Sequence, residues 1–255
     1  MIDSHIHLTH QQYKEDIDEV VKIAKEKDVK KVITIGCDQE SFYEAIELQK
    51  RYKDFMLLAL GWHPVDAKTW DDEILRTIEK EYENNKSLIA IGEIGLDYYW
   101  HPEEKKIQKE IFIKQIELAQ KLDLPIIIHA RDSYEDCYDI LKEFAPIKGV
   151  MHSFADNLEM AKKFVSLGMK IGLSGPVTFK NGDNQKEVAK GIDLRDLLIE
   201  TDGPYLTPVP YRGKRNKPEY ILYVAEEIAN QKNIKVKEVL RQTEENTIKL
   251  FNIRN

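Results

Sequence analysis

Leu88-Ile-Ala-Ile-Gly-Glu93, then a helical stretch over residues 103–122, then Leu124-Pro-Ile-Ile-Ile-His129: this passage decides the fold. Both outer runs are apolar at consecutive positions, the pattern of strands buried on two faces. Between them Ile107, Ile111, Ile116 and Leu118 are the apolar positions of one long helix. Strand, covering helix, strand is the repeating unit of a parallel sheet. Each of the two strands also ends on a side chain that can bind a metal, Glu93 or His129.

The same alternation continues in both directions. Toward the N-terminus it gives strands at Met1-Ile-Asp-Ser-His-Ile-His7, Lys31-Val-Ile-Thr-Ile-Gly36 and Phe55-Met-Leu-Leu-Ala-Leu-Gly61, with helices over 13–27, 41–52 and 71–82. Toward the C-terminus it gives strands at Lys148-Gly-Val-Met-His152, Lys170-Ile-Gly-Leu-Ser174 and residues 195–202. Helices are predicted over 134–144, 158–167, 218–231 and 236–251. Eight strands in 255 residues is the size of a closed (β/α)8 TIM barrel. An open doubly wound sheet is the alternative, but no strand is followed by GxGxxG. No linker, low-complexity segment or charge block interrupts the chain, so residues 1–255 read as one domain.

Composition narrows the function. Hydrophobic residues make up 42% and charged residues 33%, enough for a large core under a charged surface. The net charge is −7, from 38 basic and 45 acidic residues. A protein that wraps duplex DNA with its whole surface is usually basic, so any nucleic acid must be held locally. Cys37 and Cys137 are far apart and form no CxxC site, which fits a reducing compartment. No secretory signal or membrane-length apolar run is visible. A cytoplasmic monomer with no membrane or protein partner is the expectation.

In such a barrel the chemistry sits where strands end. Reading only those positions gives His5, His7, His63, Glu93, His129, His152 and Asp202. His5 and His7 are two apart on a strand and so share a face. A lone His-x-His is ordinary, but packing gives no reason for histidines to gather at one end of a barrel. Setting His63 aside, four imidazoles and two carboxylates make a ligand set for two divalent cations; zinc, manganese, magnesium and nickel all suit it. Glu93, in an apolar strand without an evident basic neighbour, needs a partner and can bridge two cations. Asp202 can ligate and also accept a proton; Asp-Gly-Pro is good turn chemistry as well.

Asp3-Ser-His-Ile-His7, Gly61-Trp-His-Pro64, Gly92-Glu-Ile-Gly-Leu-Asp-Tyr98, His129-Ala-Arg131, His152-Ser-Phe154, Glu200-Thr-Asp-Gly-Pro-Tyr205 and Arg212-Gly-Lys-Arg-Asn216 follow one another in this order. In these motifs the chain resembles the TatD-type deoxyribonucleases. The resemblance spans the whole chain. It implies a distorted TIM barrel of the amidohydrolase superfamily and metal-dependent phosphodiester hydrolysis of DNA by a metal-activated water. It places the metal ligands on His5, His7, Glu93, His129, His152 and Asp202. One cation is expected on His5, His7, Glu93 and Asp202, a second on Glu93, His129 and His152.

Asp202 is assigned the role of proton acceptor, and His63 that of a hydrogen bond or positive charge offered to phosphate. Arg212 is a candidate phosphate contact near Tyr205 and Tyr211, with Lys214 and Arg215 evenly balanced between phosphate and solvent. Arg131 is left open between phosphate and a carboxylate such as Asp132. A concave mouth without a groove-reading helix suits a single-stranded or end-frayed DNA substrate. Hydrolysis of a small ester, lactone or amide on the same barrel is the rival reading, and a non-enzymatic metal-binding protein the third.

Overall fold

A computed structural model describes residues 1–254. Among them eight parallel strands run in sequence order around one sheet. They are β1 (Ile2–Ile6), β2 (Lys31–Gly36), β3 (Met56–Leu60), β4 (Leu88–Asp97), β5 (Ile126–Arg131), β6 (Gly149–Met151), β7 (Lys170–Leu173) and β8 (Leu197–Ile199). The helices are α1 (Ile17–Glu26), α2 (Gln39–Arg51), α3 (Glu73–Asn84), α4 (Lys105–Leu122), α5 (Tyr134–Lys142), α6 (Leu158–Ser166), α7 (Asp183–Gly191), α8 (Ile221–Lys232) and α9 (Val236–Leu250). This is the (β/α)8 barrel that the alternation implies. None of the described helices is long and apolar enough to cross a membrane.

The strands are apolar on both faces because each face has its own core. Alternate residues such as Val32, Leu58, Ile91, Ile128 and Met151 face the helices, which bury Val20, Phe42, Phe112 and Phe164 against them. The others, including Ile33, Ile35, Leu57, Ile127, Val150 and Leu198, fill the lumen, with Phe251 and Ile253 packed onto them.

Closure does not come from a ladder between β8 and β1. The segment just past β8 does it instead, with Ile6 bridging to Gly203. His7 N–H donates to Gly203 O at 2.8 Å and Asp202 N–H to His5 O at 3.0 Å. Asp3, buried, accepts from Thr201 N–H at 2.9 Å and from the Thr201 hydroxyl at 2.5 Å. This is the barrel's distortion.

Several bounds differ from the sequence reading. β8 is three residues long, since 194–196 form a 3-10 turn and 200–202 form the closing segment. The helix expected over 13–27 starts at Ile17, after a 3-10 turn at Gln11–Tyr13. α7 was not foreseen: its sequence is polar, and only Val188 and Ala189 are buried. β4 runs on to Asp97, so Glu93 lies inside a strand and not at its tip. Gly95 makes that extension possible: at φ +141° it lies so close to β5 that a Cβ would come within 2.0 Å of His129 O.

α4 carries two buried glutamines that work as peptide mimics. Gln115 accepts from Trp62 N–H at 2.7 Å and donates to Trp62 O at 3.1 Å. Gln108 does the same for Asp97, at 2.8 and 2.9 Å. The chain just past β3 and the end of β4 are thus fixed from one helix. Gln115→Leu keeps the volume but leaves two buried backbone groups unpaired, a loss of roughly 2–6 kcal/mol. Thermal unfolding should show a Tm lower by about 5 °C or more; an unmoved Tm would mean the clamp contributes nothing.

Candidate metal and active site

His5, His7, His63, Glu93, His129, His152 and Asp202 meet at the mouth of the barrel. His5, Glu93 and His129 lie within β1, β4 and β5; His7 and His152 immediately follow β1 and β6. Asp202, brought in by the closing segment, completes the ring. His5 Nε2 lies 3.3 Å from Glu93 Oε2 and 3.7 Å from Asp202 Oδ1. His7 Nε2 lies 3.5 and 3.4 Å from the same two atoms. On the other side Glu93 Oε1 is 3.0 Å from His129 Nδ1, 3.5 Å from His63 Nε2 and 3.7 Å from His152 Nε2. Three overlapping triads could each hold an ion: His5–His7–Glu93, His5–His152–Asp202 and His63–Glu93–His129. The last sets His63 beside Glu93 and His129, and its role there follows from which of its nitrogens is free.

The residues fit divalent cations. Two imidazole nitrogens, His5 Nε2 and His7 Nε2, stand 3.1 Å apart in a carboxylate-lined site. Ligands at about 2.0–2.2 Å from one metal lie about 3–3.5 Å from each other, which is the spacing of most of these contacts. The far nitrogens are held as a metal site requires. His129 Nε2 contacts Asp97 Oδ2 at 2.9 Å and His152 Nδ1 contacts Glu200 Oε1 at 2.8 Å. Each outer carboxylate favours a proton on the nitrogen it touches, leaving the other lone pair for a cation. Without a cation those lone pairs would face carboxylate oxygens. His5 Nδ1 is buried with no hydrogen-bond partner, and His152 Nδ1 has only the close, poorly aligned ionic contact to Glu200.

His63 differs from the others. Its Nδ1 accepts the Val65 N–H at 3.2 Å, so the neutral ring carries its proton on Nε2, facing Glu93 and the centre.

Charge in the metal-free protein follows from this geometry. Burial works against an ionised Glu93, but His5, His152 and His63 outweigh it and hold the carboxyl well below its usual range. Burial likewise opposes ionised Asp202, and His152 and His7 hold it low. For His152, burial is overcome by Glu200, Glu93 and Asp202, which lift the imidazolium to about 10. His129 and His7 are also raised against burial, the first by Asp97 and Glu93, the second by Asp202 and Glu93. His5 and His63 are lowered, chiefly by burial, then by a neighbouring histidine.

Reasoning from sequence missed Asp97 and Glu200. Each is a carboxylate at the end of an apolar run, the same signal that singled out Glu93, and each lies inside a quoted motif. The basic loop separates on inspection. Arg212 is exposed, its guanidinium 3.8 Å from the Phe179 ring centre. Lys214 is exposed too. Arg215 is taken: it grips Asp16 with two bonds of 2.8 and 2.6 Å. Arg131 pairs with no carboxylate among the described residues and lies over Tyr99 at 3.8 Å. A separate group, His101, Glu103 and Glu104, surrounds a carboxylate already contacted by Lys68 at 2.7 Å.

Two outcomes follow for metal binding. Adding Zn²⁺, Mn²⁺ or Ni²⁺ to chelator-treated protein at a hundred times Kd should raise Tm by about 5–10 °C, and Glu93→Gln should remove most of that shift. Because His7, His129 and His152 hold protons with raised affinity, a metal must displace them. Titration calorimetry should therefore show proton release, with apparent affinity rising as pH goes from 6 to 8; a pH-independent affinity would contradict the ligand set.

Comparison with known proteins gives the family. The family model described as TatD related DNase matches residues 2–252. YabD of Bacillus subtilis, an uncharacterized metal-dependent hydrolase, is 45% identical over 255 residues, covering 99% of each chain. YcfH of Escherichia coli, described the same way, is 37% identical over 259 residues, covering 99% of this chain and 96% of its own. Among solved structures, the TatD homologue YjjV of Escherichia coli superposes with a TM-score of 0.92 at 29% identity, covering 100% of this chain and 98% of its own. The chain belongs to the TatD-related DNase family.

Proposed function

We propose that the protein is a metal-dependent hydrolase of phosphodiesters that acts on DNA at single-stranded or frayed ends. The observation that carries this reading is the convergence of four imidazoles and two carboxylates on one open mouth, with His63 beside them and an uncommitted Arg212 nearby in the chain. The family description, a TatD related DNase, supports the choice of DNA.

His5, His7, Glu93 and Asp202 would hold one cation and Glu93, His129 and His152 a second. Such ions, when bound, bring the pKa of water from 15.7 toward about 7 and balance charge that builds on a phosphoryl group. Asp202, kept ionised by His152 and His7 despite its burial, would orient a water and accept its proton. His63 directs its Nε2 proton at the centre and offers a hydrogen bond to a phosphate or leaving-group oxygen. Arg212 supplies a planar donor fork for a phosphate farther from the cleaved bond. Asp97 and Glu200 keep His129 and His152 oriented.

The test is digestion of an end-labelled single-stranded oligonucleotide by metal-analysed protein, beside a lactone and a small carboxylic ester. Cleavage of the DNA alone supports the reading; turnover of the lactone or ester alone overturns it. Asp202→Asn should lower kcat on the oligonucleotide by about 10²–10⁴-fold with little change in substrate binding. His63→Ala should keep the metals and lose about tenfold or more in kcat; full activity in that variant would reduce His63 to a loop histidine.

A further inference from the structure

β4 delivers more than Glu93. Its last residue, Asp97, contacts His129 Nε2 through Oδ2, while Oδ1 accepts the backbone N–H groups of Tyr99 at 3.0 Å and Trp100 at 2.9 Å. One carboxylate therefore fixes a candidate metal ligand and the next two ring-bearing residues together. Both rings are left in solvent, Tyr99 53% and Trp100 61% exposed. They meet edge to face, with centres 5.0 Å apart. Arg131, paired with Asp97 in the β4–β5 ladder, lays its guanidinium 3.8 Å from the Tyr99 centre and 5.6 Å from that of Trp100.

A single exposed aromatic residue on a loop needs no explanation. Two adjacent ones, anchored through their backbone to the Asp97 carboxylate and backed by an arginine without an ion-pair partner among the described residues, form a surface with a positive charge. Flat rings take up unpaired bases whatever their identity, because every base has a π-face, and arginine adds cation–π attraction. Paired bases inside a duplex are already stacked on their neighbours and cannot use such a surface.

We propose that Tyr99, Trp100 and Arg131 form a base-stacking platform at the rim of the mouth. It seats one unpaired nucleobase of the substrate, with Trp100 as the open face and Arg131 behind Tyr99. The platform rests on the phosphodiesterase reading for the phosphate beside it, and it makes single-strandedness a requirement of binding. The cavity of about 700 Å³ beside Arg131 carries both charges, with Asp132, Glu135, Asp136 and Asp156 facing Arg131 and Lys105 across it; Asp136 and Glu135 are paired with Lys109 and Lys163.

Binding is measured by fluorescence anisotropy of a labelled single-stranded dodecamer and of a blunt hairpin, in an Asp202→Asn background so that neither is cut. Trp100→Ala should weaken single-strand binding by about five- to a hundredfold, Trp100→Phe by no more than about twofold, and the hairpin should bind poorly throughout. Metal content and Tm read on the same variants establish that the fold is kept. Single-strand affinity unchanged in Trp100→Ala, or lost equally in Trp100→Phe, overturns the platform. Wild-type hydrolysis of bis(p-nitrophenyl) phosphate reports the phosphodiesterase reading by itself. Hydrolysis of that ester without Trp100-dependent binding removes the platform alone. Trp100-dependent binding with neither substrate cut removes the phosphodiesterase reading and leaves the platform standing.

Discussion

The grip of Asp3 on Thr201 is the contact on which the rest depends. A parallel barrel must return its last strand to its first, yet β8 is short and forms no ladder with β1. The buried Asp3 carboxylate instead holds the backbone and hydroxyl of the residue next to Asp202. The Asp202 N–H to His5 O bond and the His7 N–H to Gly203 O bond complete the seam. The seam that shuts the barrel is thus the one that brings Asp202 against His5 and His7. Fold and site share the same hydrogen bonds, and one cannot loosen without the other.

Electrostatics then sets the character of the mouth. Glu93 and Asp202 sit where burial alone would drive them neutral, and the surrounding imidazoles keep them ionised. Asp97 and Glu200 lie one layer farther out and direct the distal nitrogens of His129 and His152. A histidine oriented in this way loses little freedom on meeting a cation, and its basicity is raised by the carboxylate behind it.

Much of this was legible in the sequence because the strands are buried on both faces and so read as uninterrupted apolar runs. The strand-end rule then selected His5, His7, His63, Glu93, His129, His152 and Asp202, although β4 continues past Glu93 to Asp97. What escaped notice had physical causes. α7 buries only Val188 and Ala189, too little to mark a helix face. Gln108 and Gln115 look like surface residues of α4, since nothing local reveals that a buried amide will meet unpaired strand ends. Arg215 could not be separated from Arg212 because its partner, Asp16, is 199 positions away. Asp97 and Glu200 stood beside stronger signals. β4 outran its expected end because Gly95 lets two backbones approach more closely than side chains allow.

The paired glutamine clamps of α4 divide labour along the chain. The helix holds the residue before His63 and the carboxylate behind His129 through amide groups that read backbone, not side-chain identity. The turn at residues 98–104, between β4 and α4, can then change its outward chemistry while Gln108 holds Asp97 and the backbone of His101. A substitution in that turn can alter what enters the barrel without retuning the centre that would act on it.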